Sequence, residues 1–224
     1  MKKVLICLAH ADDETIGCGG YIKYLTKKGH KVYCVSFTDG VSARLQVKPK
    51  QIKDRLLNSY KASKILGFKF IDNFNFPDNQ MDQVPLLNVI EKIEQIKKKL
   101  NPNIVITHNI TDLNVDHRVV AEATLTAFRP TPEQNSLDIL SCEIPSATDF
   151  RMIKKQSIFV PNFYINIEKF LKHKIQALKF YRKEIKSYPN SRSLKGILNL
   201  NKLRGNQVGL KFAEAFEILR KINK

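Results

Sequence analysis

His10, Asp12, Asp13 and Glu14 stand together in the run Ala9-His10-Ala11-Asp12-Asp13-Glu14, directly after the apolar stretch Val4-Leu5-Ile6-Cys7. One imidazole and three consecutive carboxylates at the end of a buried strand are costly to keep, because buried carboxylates need counter-charge or a metal. The three-residue spacing of His10 and Asp13 lets both turn inward on the tight turn that leaves the strand. A second cluster, Asp112-Leu113-Asn114-Val115-Asp116-His117, brings another imidazole beside further carboxylates. Two histidines and one aspartate around an open position match the ligand count of a catalytic zinc site. The pattern implies metal-dependent hydrolysis.

The elements that must position these residues are legible as alternating periods. Strand-like apolar runs cover 3–9, 32–37, 68–74, 104–107 and 137–142, and helical periodicity covers 16–28, 51–66, 85–100 and 115–127. Such alternation predicts a Rossmann-like α/β fold, a three-layer sandwich with a mainly parallel sheet. Sites in these sheets form outside the carboxyl ends of the strands. His10, Asp12, Asp13, Asp39 and His117 all follow expected strands, so one rim can collect them. Beyond residue 150 the reading is a strand over 157–167, a basic helix over 167–187, a loop over 188–192 and an amphipathic helix over 207–221. These form a basic C-terminal strand–helix elaboration of one domain spanning 1–224.

Composition sets the class. A hydrophobic content of 43% fits a soluble globular chain. Met1 to Ala9 imitates a secretory signal, yet its apolar stretch runs straight into acids and falls short of the roughly seven to fifteen residues such a signal needs. Cys7, Cys18, Cys34 and Cys142 show no paired spacing, which argues against a disulfide framework or a thiolate zinc site. A cytoplasmic location is the expectation. Of the net charge of +17, residues 151–224 carry +14, from 18 Lys+Arg against Glu168, Glu184, Glu214 and Glu217. Either this is a solvated basic surface, or it attracts something anionic: a nucleotide-sugar, a lipid-phosphate-linked sugar at a membrane face, or nucleic acid. No nucleic-acid-binding pattern accompanies it, so nucleic acid is not expected as a partner.

The two clusters also carry a family resemblance. Ala9 to Glu14 resembles the AHPDDE motif of the LmbE-like, or PIG-L-type, zinc N-deacetylases, with Ala11 in place of the usual proline. Asp112 to His117 is similar to their second motif. Thr38-Asp39-Gly40, Leu66-Gly67, Arg204-Gly205 and Ala213-Glu214-Ala215-Phe216 add weaker echoes, so the resemblance runs from residue 4 to about residue 220. It implies Zn2+ held by His10, Asp13 and His117, with Asp12 taking a proton from the attacking water and passing it to the leaving amine. Arg55 and Asp39 are placed near the substrate, although Asn58 stands where an acid is expected three residues after Arg55.

One departure matters for the chemistry. Many members carry a histidine at the position of Asn114, oriented by the aspartate matching Asp116, as a charged donor to the oxyanion. Here either Asn114 gives a neutral hydrogen bond or His108, at the end of the 104–107 strand, takes over; the greater strength of a charged donor favours His108. Glu14 is read as a cap of the following helix. His30 and His173 receive no role. Arg192 and Arg204 either contact phosphate or simply solvate their surroundings.

The implied activity is removal of an N-acetyl group from an amino sugar in a glycoconjugate or a nucleotide- or lipid-linked sugar, with peripheral membrane contact and self-association as further expectations. One alternative is a zinc amidohydrolase acting on another N-acylated small molecule, such as a natural product or thiol conjugate. The other is a metal-free nucleotide-binding protein, since Gly17-x-Gly19-Gly20 and Asp39 partly match a dinucleotide fingerprint. Against it, the row of carboxylates before those glycines would repel a pyrophosphate.

Overall fold

The computed structural model describes residues 1–43, 49–133, 135–151 and 159–224. At its centre β1 (Lys3–Leu8) is buried from Val4 onward, and its alternating side chains feed two cores. Val4, Ile6 and Leu8 pack with Ile16, Ile22 and Leu25 of α1 (Asp13–Lys27) and Leu66 of α2 (Pro49–Leu66). Leu5 and Cys7 face the other way, against Val89 and Ile93 of α3 (Leu86–Leu100) and Val120 and Ala123 of α4 (Val115–Ala127). A strand covered on both faces requires a near-continuous apolar run, which β1 has.

β2 (Lys31–Thr38), β3 (Lys69–Phe76), β4 (Ile104–His108) and β5 (Leu137–Cys142) run parallel to β1. β6 (Phe163–Asn166) and β7 (Ala213–Ile222) complete a seven-stranded sheet in the order β3-β2-β1-β4-β5-β7-β6, with both β7 pairings antiparallel. The strand order reverses between β1 and β4, and a crevice opens there at the carboxyl ends. The expected α/β architecture with a mainly parallel sheet is therefore present. No described helix is long and apolar enough to cross a membrane. The four cysteines are buried and unpaired.

The C-terminal third differs from the sequence reading. The expected strand over 157–167 is β6, only Phe163–Asn166; residues 157 and 158 lie outside the described residues. The long helix over 167–187 is instead a 3₁₀ turn at Glu168–Phe170, α5 (Leu171–Leu178) and a second 3₁₀ turn at Lys179–Tyr181. Ending the helix there lets the Tyr181 hydroxyl reach Glu14, to which it donates at 2.8 Å. The amphipathic helix expected over 207–221 is corrected to α6 (Leu194–Asn206) followed by the strand β7. Short segments with mixed apolar and charged residues fit either period, and sheet pairing with β5 and β6 decides the outcome.

A buried triad shows why β7 must be a strand. α1 is kinked at Cys18 (φ −141°, ψ 19°). Beyond the kink, Glu214 of β7 accepts from the backbone N–H groups of Gly20 (2.8 Å) and Tyr21 (2.7 Å). Lys174 of α5, fully buried, donates to the same carboxylate at 2.7 Å. Gly20 is required by closeness: a Cβ there would lie 2.5 Å from Ile167 Cγ2. Gly17 likewise sits against Ile144 and Cys142. Gly17 and Gly20 thus serve close helix packing, and the Gly20 N–H is already taken by Glu214.

Glu214→Gln leaves Lys174 buried without a counter-charge. The expected loss of stability is about 3–5 kcal/mol, read from the urea midpoint at unchanged m-value, with part of it recovered in the Glu214→Gln/Lys174→Met double variant. A loss below about 1 kcal/mol would show that the triad is not needed to hold the kink.

Candidate metal centre and active site

β1 ends at Leu8, two residues before His10. His10 and Asp13 fall on the turn into α1, where Asp12 adopts φ 150°, a sparsely populated conformation for a residue with a Cβ. His117 comes from the first turn of α4, whose N-cap is Asn114: its Oδ1 accepts from the Asp116 N–H at 2.8 Å. The two segments meet across the β1–β4 crevice.

Three donor atoms form a small triangle. His10 Nδ1 lies 3.1 Å from Asp13 Oδ2 and 3.2 Å from His117 Nε2, and His117 Nε2 lies 3.4 Å from Asp13 Oδ2. Ligands at zinc distances of about 2.0–2.1 Å in a tetrahedron are separated by about 3.3–3.4 Å along each edge. The triangle thus has the dimensions of one tetrahedral face. Each histidine is also fixed from behind, as metal-ligating imidazoles usually are. His117 Nδ1 bonds Asp112 Oδ2 at 2.8 Å, and Thr148 Oγ1 donates to the other Asp112 oxygen at 2.7 Å. His10 Nε2 lies 3.1 Å from both Asp116 Oδ2 and Asp78 Oδ1. Asp116 is held in turn by the N–H groups of Asn79 and Met81.

The charges around this triangle reinforce the same reading. Burial would raise the Asp13 carboxyl, but His117 and His10 hold it well below the ordinary carboxylate range. Burial would lower both imidazoles, yet the carboxylates prevail: Asp116, Asp13 and Asp78 push His10 well above its ordinary value, and Asp13 and Asp112 raise His117. Positive charge is favoured where these carboxylates converge, and a divalent cation supplies it without protons. Two other groupings, His108–Asp112–His117 and His10–Asp78–Asp116, have donors within ligand range. The first uses the Asp112 oxygen that already holds His117 Nδ1 at 2.8 Å. The second would strip His10 of the partners that orient it.

Asp12 is completely buried and held by two guanidinium groups. Arg55 Nη2 meets Oδ1 at 3.0 Å and Arg192 Nη2 meets Oδ2 at 2.8 Å. Arg55 Nη1 also donates to the Gly40 carbonyl at 2.8 Å and pairs with Glu184. At Gly40, φ is +67° and a Cβ would fall 2.5 Å from Arg55 Nε, so only glycine fits. A cavity of about 390 Å³ opens onto His10 and His117, with Arg55, Asp78, Lys186 and Arg192 around it.

The structure brings His10, Asp12, Asp13, Asp116, His117 and Arg55 together. It shows the following contacts for Asp39, Asp116, Asn114 and His108. Asp39 Oδ1 accepts from the Val41 and Ser42 N–H groups and thereby shapes the Gly40 turn. Asp116 Oδ2 meets His10 Nε2 at 3.1 Å. Asn114 caps α4 and donates from Nδ2 to Asn79. His108 is wholly buried, stacks on His117 with ring centroids 3.7 Å apart, and is driven well below its ordinary pKa by burial and that neighbour. Its Nε2 accepts the Ala9 N–H at 2.7 Å. Glu14 accepts from the Asp12 N–H, which agrees with a capping part, and burial raises its pKa to about 7.

Asp112, Asp78 and Tyr181 carry no individual site role in the sequence, and Arg192 is offered there only a phosphate contact or a solvating part. Asp112 lies in the second cluster itself, five residues before His117. Asp78 follows the third strand, at the rim where such residues collect. No local signal marks Tyr181 or Arg192. Arg204 lies away from the triangle, in a bidentate pair with Glu143 at 2.7 and 2.6 Å.

Residues 5–128, more than half of the chain, match the family model PIG-L, described as GlcNAc-PI de-N-acetylase. The Escherichia coli K12 protein named "uncharacterized deacetylase YaiS" is 31% identical over 179 residues, 77% of this chain and 91% of its own length. Diacetylchitobiose deacetylase of Thermococcus kodakarensis is 28% identical over 195 residues, 82% of this chain and 70% of that protein. In fold, the N,N'-diacetylchitobiose deacetylase of Pyrococcus horikoshii superposes with a TM-score of 0.78 at 22% identity, covering 97% of this chain and 84% of that one. The chain belongs to the PIG-L, or LmbE-like, family of de-N-acetylases.

Proposed function

We propose that the chain is a zinc-dependent hydrolase that removes the N-acetyl group from an amino sugar. The observation that carries this reading is the triangle of His10 Nδ1, Asp13 Oδ2 and His117 Nε2, with a carboxylate behind each imidazole. The acetylated-sugar relatives supply the substrate class. When bound there, zinc contributes Lewis acidity and a water of lowered pKa. Asp12, adjacent to the ligands, takes the proton of the attacking water and returns it to the leaving nitrogen. Arg55 anchors one Asp12 oxygen. Asp112, Asp116 and Asp78 orient the histidines. His108 is a packing residue under His117, and Asn114 builds the helix start that presents it. Lys186 is exposed at the same cavity and has no ion pair among the described residues, which suits a sugar bearing an anionic substituent.

Three outcomes test this. Elemental analysis of His117→Ala should show the metal largely lost, and Asp112→Asn should bind zinc about 10–100-fold more weakly; full retention by both would reject the ligand assignment. Asp12→Asn should keep the metal and lose about 10²–10⁴ in kcat on an accepted N-acetyl amine, whereas near-normal turnover would move the proton transfer to another group. The third concerns pH. His10 and His117 have raised pKa values, so protons compete for their nitrogens above the ordinary imidazole value of 6.5. Zinc affinity, measured by competition with a chromogenic chelator, should therefore begin to fall above pH 6.5 as the solution is acidified, with protons released on binding. An affinity flat from pH 8 down to pH 5 would contradict imidazole ligation.

A further inference from the structure

Amide hydrolysis places negative charge on the acyl oxygen, and a preorganised donor is needed where that charge develops. The cavity that contains His10 and His117 offers few beside the proposed base; Lys186 lines it too, but makes no contact with Asp12 or Asp13 among the described residues. Asn114 has its Oδ1 on the α4 backbone and one Nδ2 proton on Asn79, which leaves it one neutral donor. His108 is beneath the floor. Arg55 uses Nη1 on Gly40 and Glu184 and Nη2 on Asp12, while its Nε is buried against the Gly40 turn.

Arg192 is different. Its Nη2 sits 2.8 Å from Asp12 Oδ2 and 3.5 Å from Asp13 Oδ1, so the guanidinium touches both the proposed base and a proposed ligand. Its Nε and Nη1 have no partner among the described residues, and the side chain lines the cavity. The loop that carries it is held in place: Lys186 N–H donates to the Arg192 carbonyl at 3.2 Å, and the Arg192 N–H donates to Asn190 Oδ1 at 2.8 Å.

We infer that Arg192 is a catalytic residue that donates a charged hydrogen bond to the acyl oxygen of the substrate while Nη2 keeps Asp12 in place. This rests on the deacetylase reading above. In the step concerned, a water oxygen forms a bond to the acyl carbon and the carbonyl π pair moves onto the acyl oxygen beside Arg192. One water proton passes to Asp12. The pair then returns, the C–N bond breaks, and the proton goes from Asp12 to the nitrogen, leaving acetic acid and the free amine. A guanidinium suits the task because it stays charged at every working pH and has several fixed donors.

The experiment uses the zinc-loaded full chain. Arg192→Ala should retain its zinc and lose about 10²–10³ in kcat, the scale of one oxyanion donor, with partial rescue by added guanidinium and little from Arg192→Lys. Acetate, whose carboxylate carries charge where the oxyanion forms, provides a readout without turnover. Its dissociation constant, from calorimetry, should rise about tenfold in Arg192→Ala both with Asp12 intact and in an Asp12→Asn background. If the effect vanishes in the Asp12→Asn background, Arg192 is only a positioning residue acting through Asp12 and the proposal falls. It also falls if acetate binds the wild type and Arg192→Ala equally, or does not bind the wild type at all. If the wild type binds acetate through Arg192 but frees none from any N-acetyl amine, the deacetylase reading fails instead.

Discussion

Concentrated negative charge in the interior is the constraint to which the rest of the molecule answers. Asp12, Asp13 and Glu14 follow one another at the end of β1 and are all within 1% of complete burial. Three adjacent ionised carboxylates cannot be tolerated there unaided. Each receives a different remedy. Asp12 is flanked by two guanidinium groups. Asp13 faces two imidazoles and a position with tetrahedral dimensions for a cation. Glu14 is pushed toward neutrality near pH 7 and bonds Tyr181 and Thr15.

Those remedies account for much of the tertiary arrangement. Arg55 comes from α2, His117 and Asp112 from the start of α4 and the loop before it, Tyr181 from the turn after α5, and Arg192 from the loop before α6. The strand-order reversal between β1 and β4 gives the crevice into which these segments converge. Because their charges compensate one another at short range, no single partner can be judged alone. Removing one leaves a buried charge exposed to low dielectric, which costs more than the pair contributes when intact.

A second buried network supports the first from behind. The kink in α1 at Cys18 frees the N–H groups of Gly20 and Tyr21, and Glu214 with Lys174 satisfies them. That contact ties β7 and α5 to the helix that begins at Asp13. The glycines of α1 permit the close approach. The backbone holding two of the carboxylates is therefore fixed at both ends, by β1 before it and by β7 behind it.

The sequence by itself determined the parts whose information is local. The buried run of β1 followed by His10 and Asp13, the cluster ending in His117, and the alternation of periods through residue 142 each depend on neighbours a few residues away. They indicated both the parallel sheet and the residues at its rim. The tertiary structure alone decided which oxygen meets which nitrogen. Arg192 reaches Asp12 across 180 residues, Tyr181 reaches Glu14 across 167, and Asp116 turns to His10 across 106. Nothing near those residues specifies such contacts. The segment 207–221 illustrates the same limit: its apolar spacing admits a helix, but Glu214 must meet the freed N–H groups of α1, and only a strand beside β5 and β6 delivers it there.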